Sequence, residues 1–316
     1  MTKPATEIIT LDEANPDMVT AADGAASSKR LVDYALLLKP RVMSLVLFTG
    51  FAGLLLAPGS LDVATTLIAV IAIAVGAGAS GAINMWYDRD IDGKMERTMD
   101  RPLPAGRLQP VQALWLGTIL SFLSVGVMAV WVNVMAAVLL AITITFYVFI
   151  YTIWLKRRTP QNIVIGGASG ALPPMIGWAA VTGGISIEPL ILSTIIFLWT
   201  PPHFWALALY RSGDYERAGV PMLPVVSGED STKTQILAYA LILAPVVVAP
   251  AFVGMTSMAG GAILALLSLW FIYHAVRVYR STDFDTPRRM FRFSILHLFF
   301  IFLTLLADHF LAPIFA

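Results

Sequence analysis

The chain has 316 residues, of which 58% are hydrophobic and 13% charged, with a mean hydropathy of +0.77. This balance lies outside the range of soluble domains and predicts an integral membrane protein. The absence of cysteine excludes disulfides, thiolate metal sites and a cysteine nucleophile. A net charge of +1 identifies no partner until the charges are placed along the chain, and no nucleic-acid partner is expected.

Residues 1–34 read as a disordered tail. They are polar, carry Asp12, Glu13, Asp17, Asp23 and Asp33, and lack the apolar run of a signal peptide and the arginine-rich, acid-poor bias of a presequence. So little apolar surface cannot offset the entropy of ordering. Residues 35–316 read as a single transmembrane domain. A helix crosses the bilayer with roughly 20 mostly apolar residues, and nine segments qualify. They run from Val42 to Ala57, Ala64 to Tyr87, Pro110 to Val130, Val134 to Leu155, Asn162 to Val181, Pro189 to Tyr210, Gln235 to Val253, Gly260 to Val278 and Phe291 to Leu311. The fifth is interrupted by Pro173, Pro174 and several glycines, of which Gly166 and Gly170, four apart, predict close helix packing.

With nine spans, all 21 lysines and arginines fall on one side, while the other side carries Asp62, Glu188 and Asp308 and no basic residue. The positive-inside rule then places the tail in the cytoplasm and the C-terminus outside. A bacterial inner membrane, with a periplasmic C-terminus, is the expected location.

The second span ends in "NMWYDRDIDGKMERTMDRP", where Asn84, Asp88 and Asp92 recur every four residues. At 3.6 residues per turn the three lie within about 80° on one helix face, and Asp90 points elsewhere. Stacked oxygen ligands at a membrane boundary suit a hard divalent cation such as magnesium, which takes one or two carboxylates and completes its shell with water or phosphate. Lys94, Arg97, Arg101 and Arg107 follow, suited to capturing phosphate. A solvated loop of mutually paired charges is the plain alternative. A second cluster, Tyr210, Asp214 and Glu216 with Arg211 and Arg217, follows the sixth span on the same side. Two such clusters suggest two equivalent halves facing one cavity, each bringing a cation to a shared diphosphate. No phosphate-cradling glycine loop of the Walker kind is present.

Asn84, Asp88, Asp92, Arg97, Thr98 and Arg101 carry the signature of the UbiA superfamily of intramembrane prenyltransferases, which the chain resembles over roughly residues 35 to 310. Within it, "KPRVMSLVLFTG", "QNIVIGGASGALPPMIGWAA" and "WTPPHFWALALYRSGDYERAGVPMLPVV" look like the haem-modifying branch. Many members have a second Asp-x3-Asp motif; here Tyr210 stands at its first position. The resemblance implies an all-α bundle of nine helices around a central cavity opening to the cytoplasm, with magnesium as cofactor. It implies the reaction of haem B, farnesyl diphosphate and water to haem O and diphosphate, and a haem A synthase or oxidase-assembly enzyme as the class of partner.

On that reading Asn84, Asp88, Asp92 and Asp214 hold the metal, and Lys94, Arg97, Arg101, Arg211 and Lys156 bind the diphosphate. Aromatic faces are expected to stabilise a farnesyl cation, with Trp86, Tyr87, Tyr147, Tyr151 and Trp205 the candidates. Haem needs an apolar slot, cations for its propionates and an iron ligand. His203, two turns before Tyr210 in the sixth span, is the best-placed histidine, and Tyr210, Arg41 and Asn162 join it as expected substrate contacts. A sister enzyme acting on a quinone precursor or chlorophyllide would share the diphosphate residues. A transporter would place its carboxylates nearer the midplane.

Overall fold

The computed structural model describes residues 30–315. The expected tail therefore lies outside the described residues up to position 29, while residues 30–34 belong to a helix. Helices run in the order α1 (Arg30–Leu37), α2 (Pro40–Leu56), α3 (Val63–Asp92), α4 (Pro110–Trp131) and α5 (Val134–Thr145), which continues as a π-helix over Phe146–Leu155. Then come α6 (Asn162–Ala171), α7 (Pro173–Thr182), α8 (Ile187–Tyr210), α9 (Ser212–Arg217), α10 (Leu223–Phe252), α11 (Met258–Arg280) and α12 (Asp285–Phe315). Eight helices or continuous helix pairs are long and apolar enough to cross a membrane, and α1 with α2, bent by 47°, makes a ninth. The chain is a multi-pass, all-helical membrane protein.

Local chemistry sets the helix ends. Proline opens α2, α4, α7 and α10, where its missing N–H costs nothing. Asp62, Asn133 and Ser257 cap α3, α5 and α11 by accepting from Thr65 N, Ala136 N and Gly260 N. The fifth span breaks at Leu172, ahead of the two prolines that start α7. A second break falls at Gly228, whose φ of 79° interrupts α10; glycine takes that conformation without a Cβ penalty.

Large apolar side chains point outward as well as inward. Phe122 and Phe252, for example, are 78% and 80% exposed, as expected of a surface meant for lipid. Inside, one core joins α8, α10, α11 and α12 around Trp205, Phe271 and Phe302, and a second joins α2, α3, α4, α5 and α7. Helix α2 approaches α7 closely, where a Cβ on Gly177 would sit 2.0 Å from Gly50 O. The expected close-packing role holds at Gly166, against the π-helix, and is corrected at Gly170. A Cβ on Gly166 would lie 2.2 Å from the Tyr151 ring, so this glycine makes room for a side chain, and Gly170 faces open space. The motif glycines of α6 therefore do not form a backbone-to-backbone seam.

At the end opposite the basic clusters, Asp308 of α12 accepts from Ser257 N, Ser257 Oγ and Thr256 Oγ1 at 2.6, 2.5 and 2.7 Å. This ties the last helix to the start of α11.

Candidate functional site

The last turns of α3 present Asp88 and Asp92, fully buried, at the negative end of the helix dipole. Two carboxylates there need cations, and the fold supplies them from three directions. The π-helix brings Lys156 onto Asp88 Oδ2. Arg101, from the loop after α3, donates to Asp92 Oδ2 at 2.6 Å. Lys39, between α1 and α2, donates to Asn84 Oδ1 at 2.6 Å.

Asn84 organises this network. Its amide nitrogen donates to Asp88 Oδ2 at 2.8 Å and to Thr152 Oγ1 at 3.0 Å, while its oxygen accepts from Lys39. The oxygen expected as a neutral metal ligand is thus engaged by an ammonium group. Lys39 holds φ 52°, the one positive φ outside glycine among the described residues. Such a backbone costs about 1–3 kcal/mol and is kept where the surroundings over-determine it.

The π-helix matters because i→i+5 bonding widens the turn. Lys156 N donates to Tyr151 O at 2.9 Å, which fixes Thr152 and Lys156 on the side facing α3. Arg157 forms a two-pronged pair with Asp90 at 2.7 and 2.8 Å and donates to Tyr87 O at 3.0 Å. The same guanidinium lies 3.6 Å from Asp88 Oδ1, so it stands between Asp88 and Asp90.

In the second cluster Asp214 is buried at the start of α9, bonded to Arg217, with Arg211 at 3.6 Å. Glu96, from the loop after α3, lies 3.7 Å from both Arg211 and Arg217 and links the two clusters. Among the described residues no three acidic or histidine side chains converge to hold a metal unaided. Magnesium nevertheless suits the donor set. Asp88 Oδ1 and Asp214 Oδ2 are buried without a hydrogen-bond partner, and both are hard oxygen donors of the kind magnesium would take from a carboxylate, with phosphate supplying others. Asn162 Oδ1 is a third buried oxygen without a partner, while its nitrogen donates to Thr159 O at 2.6 Å.

Other expected contacts are placed differently. Lys94, Arg97 and Arg41 are exposed; Arg97 lies within electrostatic reach of Tyr151 and Tyr210, and Arg41 joins no ion pair among the described residues. Trp205 is corrected to a core residue: it is fully buried and meets the Tyr239 ring of α10 edge-on at 5.3 Å. Two residues past His203, it lies about 200° around α8 and so faces α10. Tyr147 and Tyr151 pair at 5.3 Å on the π-helix.

His203 is sandwiched between Trp199 and Phe291, with centroids at 4.3 and 4.6 Å. Its Nδ1 lies 2.6 Å from Ser294 Oγ. With that hydroxyl's single proton given to Phe291 O, 2.7 Å away, Ser294 Oγ accepts from His203 Nδ1–H. In that tautomer a neutral ring has its lone pair on Nε2, in the ring plane and away from both stacked faces. Trp199 Nε1 donates to Ser294 O at 3.0 Å and braces the same turn. His297, also buried, stacks on Phe271 and has no hydrogen-bond partner at either nitrogen.

Residues 46–304 match the model of the UbiA prenyltransferase family. The chain belongs to that family. Its relatives include a protein from Mesorhizobium japonicum named protoheme IX farnesyltransferase 2, 55% identical over 302 residues with 94% of each chain covered. Another, from Rhizobium etli, is 56% identical over 292 residues, covering 91% of this chain and 92% of the relative. Among solved structures, a digeranylgeranylglyceryl phosphate synthase matches at a TM-score of 0.74 and 17% identity, covering 89% of this chain and 99% of its own. A UbiA homologue from Archaeoglobus fulgidus, bound to DMAPP and Mg2+, matches at 0.65 and 15%, covering 85% and 99%. These structures share the fold; the enzyme class, prenyltransferase, follows from the family.

Sequence reasoning missed Lys39, Thr152, Ser294 and the bridging role of Glu96. The Lys39-Pro40 step marks a backbone turn, but nothing local says what the ammonium meets.

Proposed function

We propose that the chain transfers a farnesyl group from farnesyl diphosphate to a vinyl carbon of haem B, with addition of water, giving haem O and diphosphate. The observation that carries this is His203, a buried neutral imidazole whose tautomer leaves Nε2 ready for iron, in a protein that also carries paired acidic and basic clusters. Identity of 55% to proteins named for this activity supports haem as acceptor.

Magnesium, held by Asp88, Asp92 and Asp214, would neutralise charge on the departing diphosphate as a Lewis acid. The chain's own part is an exchange of partners. Lys156 and Arg101, which now neutralise Asp88 and Asp92, turn to the diphosphate oxygens and uncover the carboxylates. These cations are already in place, so little reorganisation is needed when the allylic C–O bond breaks. Tyr147 and Tyr151 offer ring faces to the allylic cation. Asn84 and Thr152 hold Asp88 in register. The basic end is cytoplasmic by the positive-inside rule, in a bacterial inner membrane, with a haem A synthase or oxidase-assembly enzyme as recipient of the product.

The test is a product assay by mass spectrometry with purified protein, haem B, farnesyl diphosphate and magnesium. A haem heavier by a farnesyl group and a hydroxyl group, lost in Asp88→Ala and kept in Asp90→Ala, is expected. Diphosphate release with another aromatic acceptor and none with haem would remove haem from the assignment.

A further inference from the structure

At the basic end, Tyr210 and Arg211 after α8 meet Phe284, Asp285 and Arg288 at the start of α12 around a cavity of about 250 Å³. None of Asn84, Asp88, Asp92, Arg101 and Lys156 lines it, and Arg211 is shared with the second acidic cluster. Arg288 is exposed and forms no ion pair among the described residues, whereas Arg211 is loosely shared with Glu96 and Asp214 at 3.7 and 3.6 Å. The Arg211 guanidinium lies 5.8 Å from the centre of the Tyr210 ring.

Beneath the cavity runs a column of rings. Tyr210 meets Phe291 edge-on at 6.0 Å, Phe291 stacks on His203, and His203 stacks on Trp199. Phe291 is one turn from Arg288 on the same helix, so the column leads into the cavity. The seven residues from His203 to Tyr210 rise about 10 Å along α8. The column therefore joins a nitrogen ready for iron to a pocket for anions.

Two guanidiniums and one carboxylate give the lining a net charge of one plus. That suits a monocarboxylate or a pair of carboxylates at the mouth, and is too weak for a diphosphate, which the cations around Asp88 and Asp92 serve better. We infer that this cavity is the carboxylate subsite of the acceptor, with Arg288 the cation that anchors a propionate and so orients the macrocycle against the aromatic column. This rests on the haem reading of the reaction. The guanidinium is suited to the task because it presents a planar, two-pronged donor. A carboxylate anchored at this edge restricts how the flat ring can lie, and so which vinyl carbon meets the allylic donor. Arg288 is thus a specificity residue for the acceptor.

Titration of the purified protein with haem B, followed by the Soret band, tests the inference without turnover. The wild type should bind haem B about tenfold more tightly than its propionate dimethyl ester, a difference near 1.4 kcal/mol. Arg288→Ala should weaken haem B about tenfold, leave the ester unchanged and leave the KM for farnesyl diphosphate unchanged. Arg288→Lys should recover part of the loss. Equal binding of acid and ester by the wild type would overturn the subsite, even if Arg288→Ala could not be purified. So would a variant whose loss falls on farnesyl diphosphate. A wild type that binds neither porphyrin and makes no haem product would defeat the haem reading itself, whereas normal product formation with an inert Arg288 would defeat only the anchor.

Discussion

Gly166→Ala and Gly170→Ala change the same helix by one methyl group and should have opposite outcomes. At Gly166 the new Cβ would lie 2.2 Å from Tyr151 Cδ2, where ordinary contact begins near 3.4 Å, so the ring must retreat by about 1.2 Å. Tyr151 packs on Tyr147, and its carbonyl accepts the Lys156 N–H, so displacement reaches the segment that holds Lys156 on Asp88. Overpacking of this kind costs about 1–3 kcal/mol, and misplacing a reacting group by about 1 Å can cost about 100-fold in rate. Gly166→Ala should therefore lower the thermal midpoint in detergent and reduce kcat by one to two orders of magnitude. At Gly170 nothing lies within 4 Å, so alanine should be neutral or stabilise by up to about 1 kcal/mol through helix propensity. The assay is prenyl transfer at saturating substrates beside a thermal melt of each variant. Wild-type kcat and melting in Gly166→Ala, or a Gly170→Ala as damaged as Gly166→Ala, would refute the reasoning.

Lys39→Gly removes the Lys39 ammonium but relieves its positive φ, so the melt should be unchanged or raised while kcat/KM falls at least tenfold; a parallel loss of both would mean that Lys39 is only structural. Ser294→Ala deletes the acceptor of the His203 Nδ1–H, and the Soret band of the haem complex should shift toward that of His203→Ala, with haem affinity down about 10-fold or more. An unchanged spectrum would remove His203 from the iron. Asp308→Ala loses three hydrogen bonds at the opposite end and should lower the thermal midpoint while leaving kcat within twofold of wild type, since it lies far from the acidic clusters along α12. A selective loss of activity with normal melting would contradict that structural role.

The nine apolar segments determine the membrane class and the all-helical fold, because backbone groups in lipid must be satisfied within each helix. The i, i+4, i+8 spacing of Asn84, Asp88 and Asp92 likewise fixes a shared face, since it depends only on helix pitch. Prolines and capping residues mark several helix ends for the same local reason. Tertiary structure alone decided what each charge meets. Lys156 reaches Asp88 across 68 residues because a π-helix, with no evident signal in "FYVFIYTIWL", widens the turn that carries it. Lys39 turns toward Asn84 through a left-handed backbone that a propensity argument would disfavour. Trp205 and His203 are near neighbours in "HFWA", yet two residues turn a helix by about 200°, so one joins the core against α10 and the other faces α12. Gly166 reads as helix packing, but only the bundle shows that its neighbour is the Tyr151 ring, and that Gly170 has none. Periodicity tells which residues share a face; only the packed bundle determines which face meets which, because those contacts join residues far apart in the chain.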